Sequence, residues 1–208
     1  MNTQASKNLQ AKSKVILAQE RAWALALGRS MRDPRPISAW EVIMPLLLIF
    51  NYARAKADRE LFAQNFLFTK DLALKAAVAM ARDNRPRADI GRVIEEKTAG
   101  LLKTTPDDVY SELVRTAQLK EMDVLMDHYG RLLRAEGRDY AALATMAYGG
   151  RREYEEFLTR LKAAEADVNQ ASLETVGPKG DPRFVAKLEN NIERLRVNTI
   201  QRIFGERG

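Results

Sequence analysis

A chain of 208 residues with 46% apolar and 30% charged side chains has the composition of a globular protein and excludes a disordered or fibrous one. It contains no cysteine, which removes disulfides, thiolate metal ligands and cysteine nucleophiles and fits a reducing, cytoplasmic setting. The net charge of +6 is uneven: residues 1–104 carry 18 Lys+Arg against 10 Asp+Glu, a balance of +8, whereas residues 105–208 carry 16 against 18, a balance of −2.

The first predicted helix spans residues 5–31. At about 100° per residue, Leu9, Ile16, Trp23, Leu27 and Met31 fall on one stripe, which Ser13 and Glu20 interrupt. Lys7, Lys14, Arg21, Arg29 and Arg32 form a basic stripe on the opposite face. The apolar run Val15-Ile16-Leu17-Ala18 after the first lysines is too short for a signal peptide. Asp33-Pro34-Arg35-Pro36 ends the helix, because neither proline continues it and each biases its predecessor to an extended backbone.

Ser38-Ala39-Trp40-Glu41 has the form of a capping box that opens the second helix. Residues 42–50 then read VIMPLLLIF, without one polar side chain, and Pro45 is expected to kink the helix there. From Asn51 the pattern turns amphipathic, with Leu61, Phe62, Phe66, Leu67, Leu72 and Met80 on the apolar face to about residue 83. A straight helix of about 45 residues is unusual in a globular domain, so a bend or break is expected near Asn65–Thr69.

Asn84-Arg85-Pro86 opens a helix to about Leu102, with Ile90, Val93, Ile94 and Leu101 inward. Thr105-Pro106-Asp107-Asp108 reads as an N-cap with proline at the first helical position. That helix is expected to run to about Glu136 and stop at Gly137. Its wide apolar arc, Val109, Leu113, Val124, Leu125, Met126, Tyr129, Leu132 and Leu133, marks it as the central element. Asp139 caps a short helix ending at Gly149-Gly150, residues 151–175 form a charged helix, and Gly177-Pro178-Lys179-Gly180 is a loop. Asp181-Pro182 starts the last helix, whose Val185, Leu188, Ile192, Leu195, Thr199 and Ile203 repeat at three- and four-residue steps close to a coiled-coil seam.

The expected fold is therefore an all-α bundle of about six to eight helices built from helical hairpins, without significant β-sheet. It comprises a basic N-terminal helical half, 1–104, and an acidic-to-neutral C-terminal half, 105–208, in one continuous domain.

No motif points to catalysis, a cofactor or a metal. His128 is the only histidine, and its helical neighbours Val124, Leu125, Arg131 and Leu132 include no metal ligand, so a structural role is expected. Asp123 with Asp127, and Asp108 with Glu112, share helix faces and read as solvated carboxylates. There is no glycine-rich phosphate loop, dinucleotide fingerprint or nucleophile elbow.

Three features suggest binding instead. The apolar run, read together with its flanking rings as Trp40, Leu46, Leu47, Leu48, Ile49, Phe50 and Tyr52, suits either a buried helix or shallow insertion into a membrane. The basic stripe Lys7, Lys14, Arg21, Arg29 and Arg32 suits anionic lipid, nucleic acid or the chain's own acidic half. Leu188, Ile192, Leu195 and Ile203 must pack on another protomer, another protein or the helix at 151–175. The expected function is a non-enzymatic helical adaptor or assembly protein at the cytoplasmic membrane face. The alternative is a nucleic-acid-associated protein using the basic half or a weak helix-turn-helix at 140–162, in which Glu153, Glu155 and Glu156 would face phosphates unfavourably.

Overall fold

The computed structural model describes residues 3–31 and 59–205. Among the described residues the chain forms seven α-helices and no strand: α1 Thr3–Ser30, α2 Arg59–Asp83, α3 Arg87–Thr104, α4 Glu112–Arg134, α5 Tyr140–Tyr148, α6 Arg151–Val176 and α7 Pro182–Phe204. A 3₁₀ turn, Gly177–Lys179, joins α6 to α7. This is the all-α bundle that the 3.6-residue periodicity implies.

Five helices close a ring: α1 packs on α2, α2 on α4, α4 on α6, α6 on α7, and α7 back on α1. The short α5 touches α1, α4, α6 and α7, while α3 lies against α2 and α4. The main apolar cluster draws on both halves of the chain, from Ile16 in α1 and Ala73 in α2 to Leu132 in α4, Phe157 in α6 and Ile200 in α7. Each large side chain buried there contributes about 1.5–3 kcal/mol.

The punctuation of the C-terminal half acts locally as its residue types dictate. Asp139 accepts a hydrogen bond from the Ala142 amide at 2.8 Å, and Asp181 accepts one from the Arg183 amide at 2.9 Å, so both cap the helices they precede. Gly149 ends α5 in the left-handed region, at φ 71°, where a side chain would be strained.

Several sequence expectations are corrected. α2 runs unbroken through residues 65–69, because Phe66, Lys70, Ala73, Leu74 and Ala77 form one continuous inward row that a break would disperse. α4 begins at Glu112, not near Thr105. The Thr105 hydroxyl donates to the Leu101 carbonyl at 2.7 Å and so closes α3, while Ser111 caps α4 by accepting from the Val114 amide at 3.3 Å. α4 also ends at Arg134, before Gly137. That glycine answers a close approach instead, since a Cβ there would meet the Leu143 amide nitrogen at 2.7 Å. Val93 and Leu113, expected inward, are 41% and 49% exposed.

Candidate functional site

The centre of the ring is ionic. Each ring helix contributes one buried or mostly buried charge: Glu20 from α1, Lys70 from α2, Glu121 from α4, Glu165 from α6 and Arg196 from α7. Lys70 Nζ lies 3.7 Å from Glu20 Oε2 and 3.9 Å from Glu165 Oε1, and Arg196 Nη2 meets Glu165 Oε2 at 2.5 Å. The Tyr129 hydroxyl donates to Glu20 Oε1 at 3.0 Å. Glu20, which broke the apolar stripe of α1 in the sequence, is thus the α1 member of this centre.

Three carboxylates face two cations, so full ionisation would leave a net negative charge out of water. The centre resolves this at Glu121: burial first, then Glu165, pushes its carboxyl up to about 7, against the pull of Lys70 and Arg196. Burial alone would lower the Lys70 ammonium, but Glu20, Glu165 and Glu121 outweigh it and hold the group charged, above its ordinary value. Beside Lys70, Glu165 and Arg196 lies a cavity of about 20 Å³, room for about one water and not for an organic substrate.

His128 occupies an aromatic box. Its ring stacks on Phe157 at 4.0 Å, Nδ1 meets the Tyr148 hydroxyl at 2.8 Å, and Nε2 meets the Tyr140 hydroxyl at 3.2 Å. Tyr140 in turn bonds Tyr154 at 3.1 Å. Burial, helped by Lys70 and Arg131, lowers the imidazole to about 3, so it is neutral and fully engaged. Among the described residues no cluster of His, Asp and Glu is arranged to hold a metal. Asp123 and Asp127 are not merely solvated: both grip Arg87 of α3. Asp108 lies outside α4, where it pairs with Lys179, and Glu112 pairs with Arg115.

The outer surface of α1 and α7 is the second candidate. The two helices run antiparallel, fixed by Arg202 Nη2 on Gln19 Oε1 (3.0 Å), Trp23 Nε1 on Thr199 Oγ1 (3.2 Å) and Asn191 Nδ2 on Met31 Sδ (3.3 Å). The basic rows of both helices lie on their exposed sides. The α1 row carries Lys7, Lys14, Arg21 and Arg29, and the α7 row Arg183, Lys187 and Arg194, all exposed. Glu20, the sole acid of α1, points inward. The two acids of α7 turn toward α6: Glu189 accepts from Asn169 and Glu193 pairs with Lys162. The basic rows themselves hold no carboxylate of α1 or α7.

The structure places four of the five predicted basic residues, Lys7, Lys14, Arg21 and Arg29, on this face. Arg32 and the segment marked by Trp40, Leu46, Leu47, Leu48, Ile49, Phe50 and Tyr52 lie outside the described residues. The α7 half of the face was missed, although the steps Arg183, Lys187, Arg194 on a 3.6-residue wheel carry the signal. The seam of α7 is covered within the chain: Leu188 is buried with Leu27 of α1 and Val185, and Ile192 and Leu195 pack on that cluster with Met31, Phe66 and Leu173. Ile203 packs on the main core. In the α5–α6 elbow, Leu143, Ala144, Tyr154 and Phe157 are buried, while Glu155 and Glu156 pair with Arg151 and Arg152.

Among the described residues no helix is long and apolar enough to cross a membrane. Comparison with protein-family models, with curated protein sequences and with solved structures finds no match to this chain.

Proposed function

We propose that this chain is a non-enzymatic helical binding protein that attaches to an anionic surface through the outward face of α1 and α7. The observation that carries the reading is the segregation of charge on those two helices. Their exposed rows hold cations, while Glu20 is turned into the ring and Glu189 and Glu193 are engaged by α6. Clustered like charges repel one another and raise the energy of the free fold, which an anionic partner relieves. The interior groups that could do chemistry are instead engaged with one another: His128 with two tyrosines, and Lys70 and Arg196 with carboxylates.

The test is retention on immobilised heparin, a generic polyanion. The unsubstituted chain is expected to bind and elute with salt. Lys14→Gln, Arg21→Gln and Arg194→Gln together should move elution to much lower salt. Lys97→Gln, Lys103→Gln and Lys120→Gln, an equal loss of charge elsewhere on the exposed surface, should move it little. Equal effects of the two triple variants would reduce the interaction to net charge and defeat the reading.

A further inference from the structure

We propose that the ring centre is a proton-operated latch for α7: closing α7 over the centre holds one proton on Glu121, and losing that proton to water loosens the α7 seam. The inference is independent of what the outer surface binds. Glu20 and Glu165 flank the Lys70 ammonium at 3.7 and 3.9 Å, and Glu165 also holds Arg196 at 2.5 Å. Both cations are thereby committed, and Glu121 has no ion pair among the described residues. The centre is also short of donors, since Glu20 Oε2 is buried and accepts no hydrogen bond. An ionised Glu121 would thus be a buried, unpaired anion, which costs far more than the neutral acid. The charged groups around it are Glu20 of α1, Lys70 of α2, Glu165 of α6 and Arg196 of α7, and Tyr129 of its own helix donates to Glu20. Burial, then Glu165, pushes the carboxyl up to about 7, so its proton is exchangeable near neutral pH.

Ionisation favours whichever arrangement lets water reach the centre, and α7 is the helix placed to yield. The cavity of about 20 Å³ beside Lys70, Glu165 and Arg196 has Ile192 and Leu195 of α7 in its wall, so the α7 seam already adjoins the charges. Five residues of α7 are buried, against eleven in α4, a helix of the same 23 residues, and few buried side chains mark a unit that opens at low cost. Val185 and Leu188 join Leu27 in a cluster apart from the main core, to which α7 gives one buried residue, Ile200. α1 also buries few side chains, but it is secured along α2. Lifting α7 gives up the attraction of Arg196. Burial outranks Arg196 among the influences on Glu121, so hydration of the carboxylate prevails. A carboxyl raised by closure favours the closed form at low pH, and that preference is lost as pH rises through 7.

The experiment is hydrogen exchange of the full chain at pH 6 and pH 8.5, read by mass spectrometry and corrected for the pH dependence of exchange itself. α7 should exchange through an opening that leaves α2 and α4 closed, so its protection lies below theirs. That protection should fall about tenfold from pH 6 to pH 8.5, for one carboxyl at about 7 when closed and near its ordinary value when open. Glu121→Gln, which keeps the shape of the neutral acid, should hold α7 protection equal at the two pH values. Protection of α7 that does not change with pH in the parent overturns the inference. Protection equal to that of α2 and α4 also overturns it, because only global unfolding would then open the seam. A pH dependence that survives Glu121→Gln does the same. If that variant fails to fold, carbon-detected NMR of the unsubstituted chain replaces it. The Glu121 carboxyl and the α7 amides should then titrate with one midpoint near neutral pH, and a Glu121 midpoint near 4.5, or α7 amides that ignore its titration, overturns the inference.

Discussion

Trp23 Nε1 donates a hydrogen bond to Thr199 Oγ1 at 3.2 Å, and this bond pins the register of α1 against α7. Thr199 is buried, so its oxygen loses a partner if the donor is removed. Trp23→Phe keeps an aromatic ring against Tyr140 but deletes the N–H. It should cost about 1–2 kcal/mol in urea unfolding. Thr199→Val in the same background should add little beyond its own packing effect, so a double-mutant cycle with no coupling would contradict the assigned role.

Lys70 carries the charge balance of the ring centre. Lys70→Met leaves Glu20, Glu121 and Glu165 without their shared ammonium. Removing one partner of a buried ion pair costs about 3–5 kcal/mol. The loss should shrink as pH falls below 7, because a protonated Glu121 needs no countercharge. A destabilisation independent of pH would show that Lys70 acts through packing alone.

Glu121 and His128 should shape stability in opposite directions. The folded-state carboxyl of Glu121 is raised from 4.5 to about 7, so the stabilisation it gives is complete below about 4.5 and is lost as pH rises through 7. The His128 imidazole is lowered from 6.5 to about 3, so its contribution is complete above about 6.5 and is lost as pH falls toward 3. Glu121→Gln should remove the alkaline decline and stabilise the chain at pH 8 by on the order of 2–3 kcal/mol relative to pH 5 behaviour. Thermal melts at pH 5, 6.5 and 8 check both arms. An unchanged alkaline limb in the Glu121 variant would contradict the assignment.

The α7 seam should report on the fold and not on assembly. Ile192→Glu with Leu195→Glu forces two charges into the cluster shared with Leu27 and Phe66. The expected outcome is a large drop in melting temperature with no change in oligomeric state at temperatures where the variant remains folded. A variant as stable as its parent that separates an oligomer into monomers would mean that the seam meets a second protomer.

The sequence made the helices legible wherever capping chemistry was local. Asp139 and Asp181 each act within three residues of themselves, so their helices could be placed from residue types alone. Thr105 misled because a hydroxyl can serve either neighbouring helix, and only the turn made by Pro106 through Tyr110 decides that it closes α3. The basic row of α1 was legible because it lies on one helix. Its α7 half was not, because the antiparallel register that joins the rows is set by contacts 160 to 183 residues apart. The ring centre left a trace only as an anomaly: Glu20 within an apolar stripe and Lys70 within an apolar row. A lone charge in such a stripe reads as an exception until four other helices bring its partners to it.

Which lysines an anionic partner covers tests the α1/α7 assignment most directly. Acetylation of the folded chain, with and without a heparin oligosaccharide, can be read lysine by lysine by mass spectrometry. The expected result is protection of Lys7, Lys14 and Lys187, all exposed on α1 and α7, with Lys97, Lys103 and Lys120 labelled at the same rate in both samples. Uniform labelling across both sets, or protection centred on Lys97, Lys103 and Lys120, would contradict the assignment of the α1/α7 face as the binding surface.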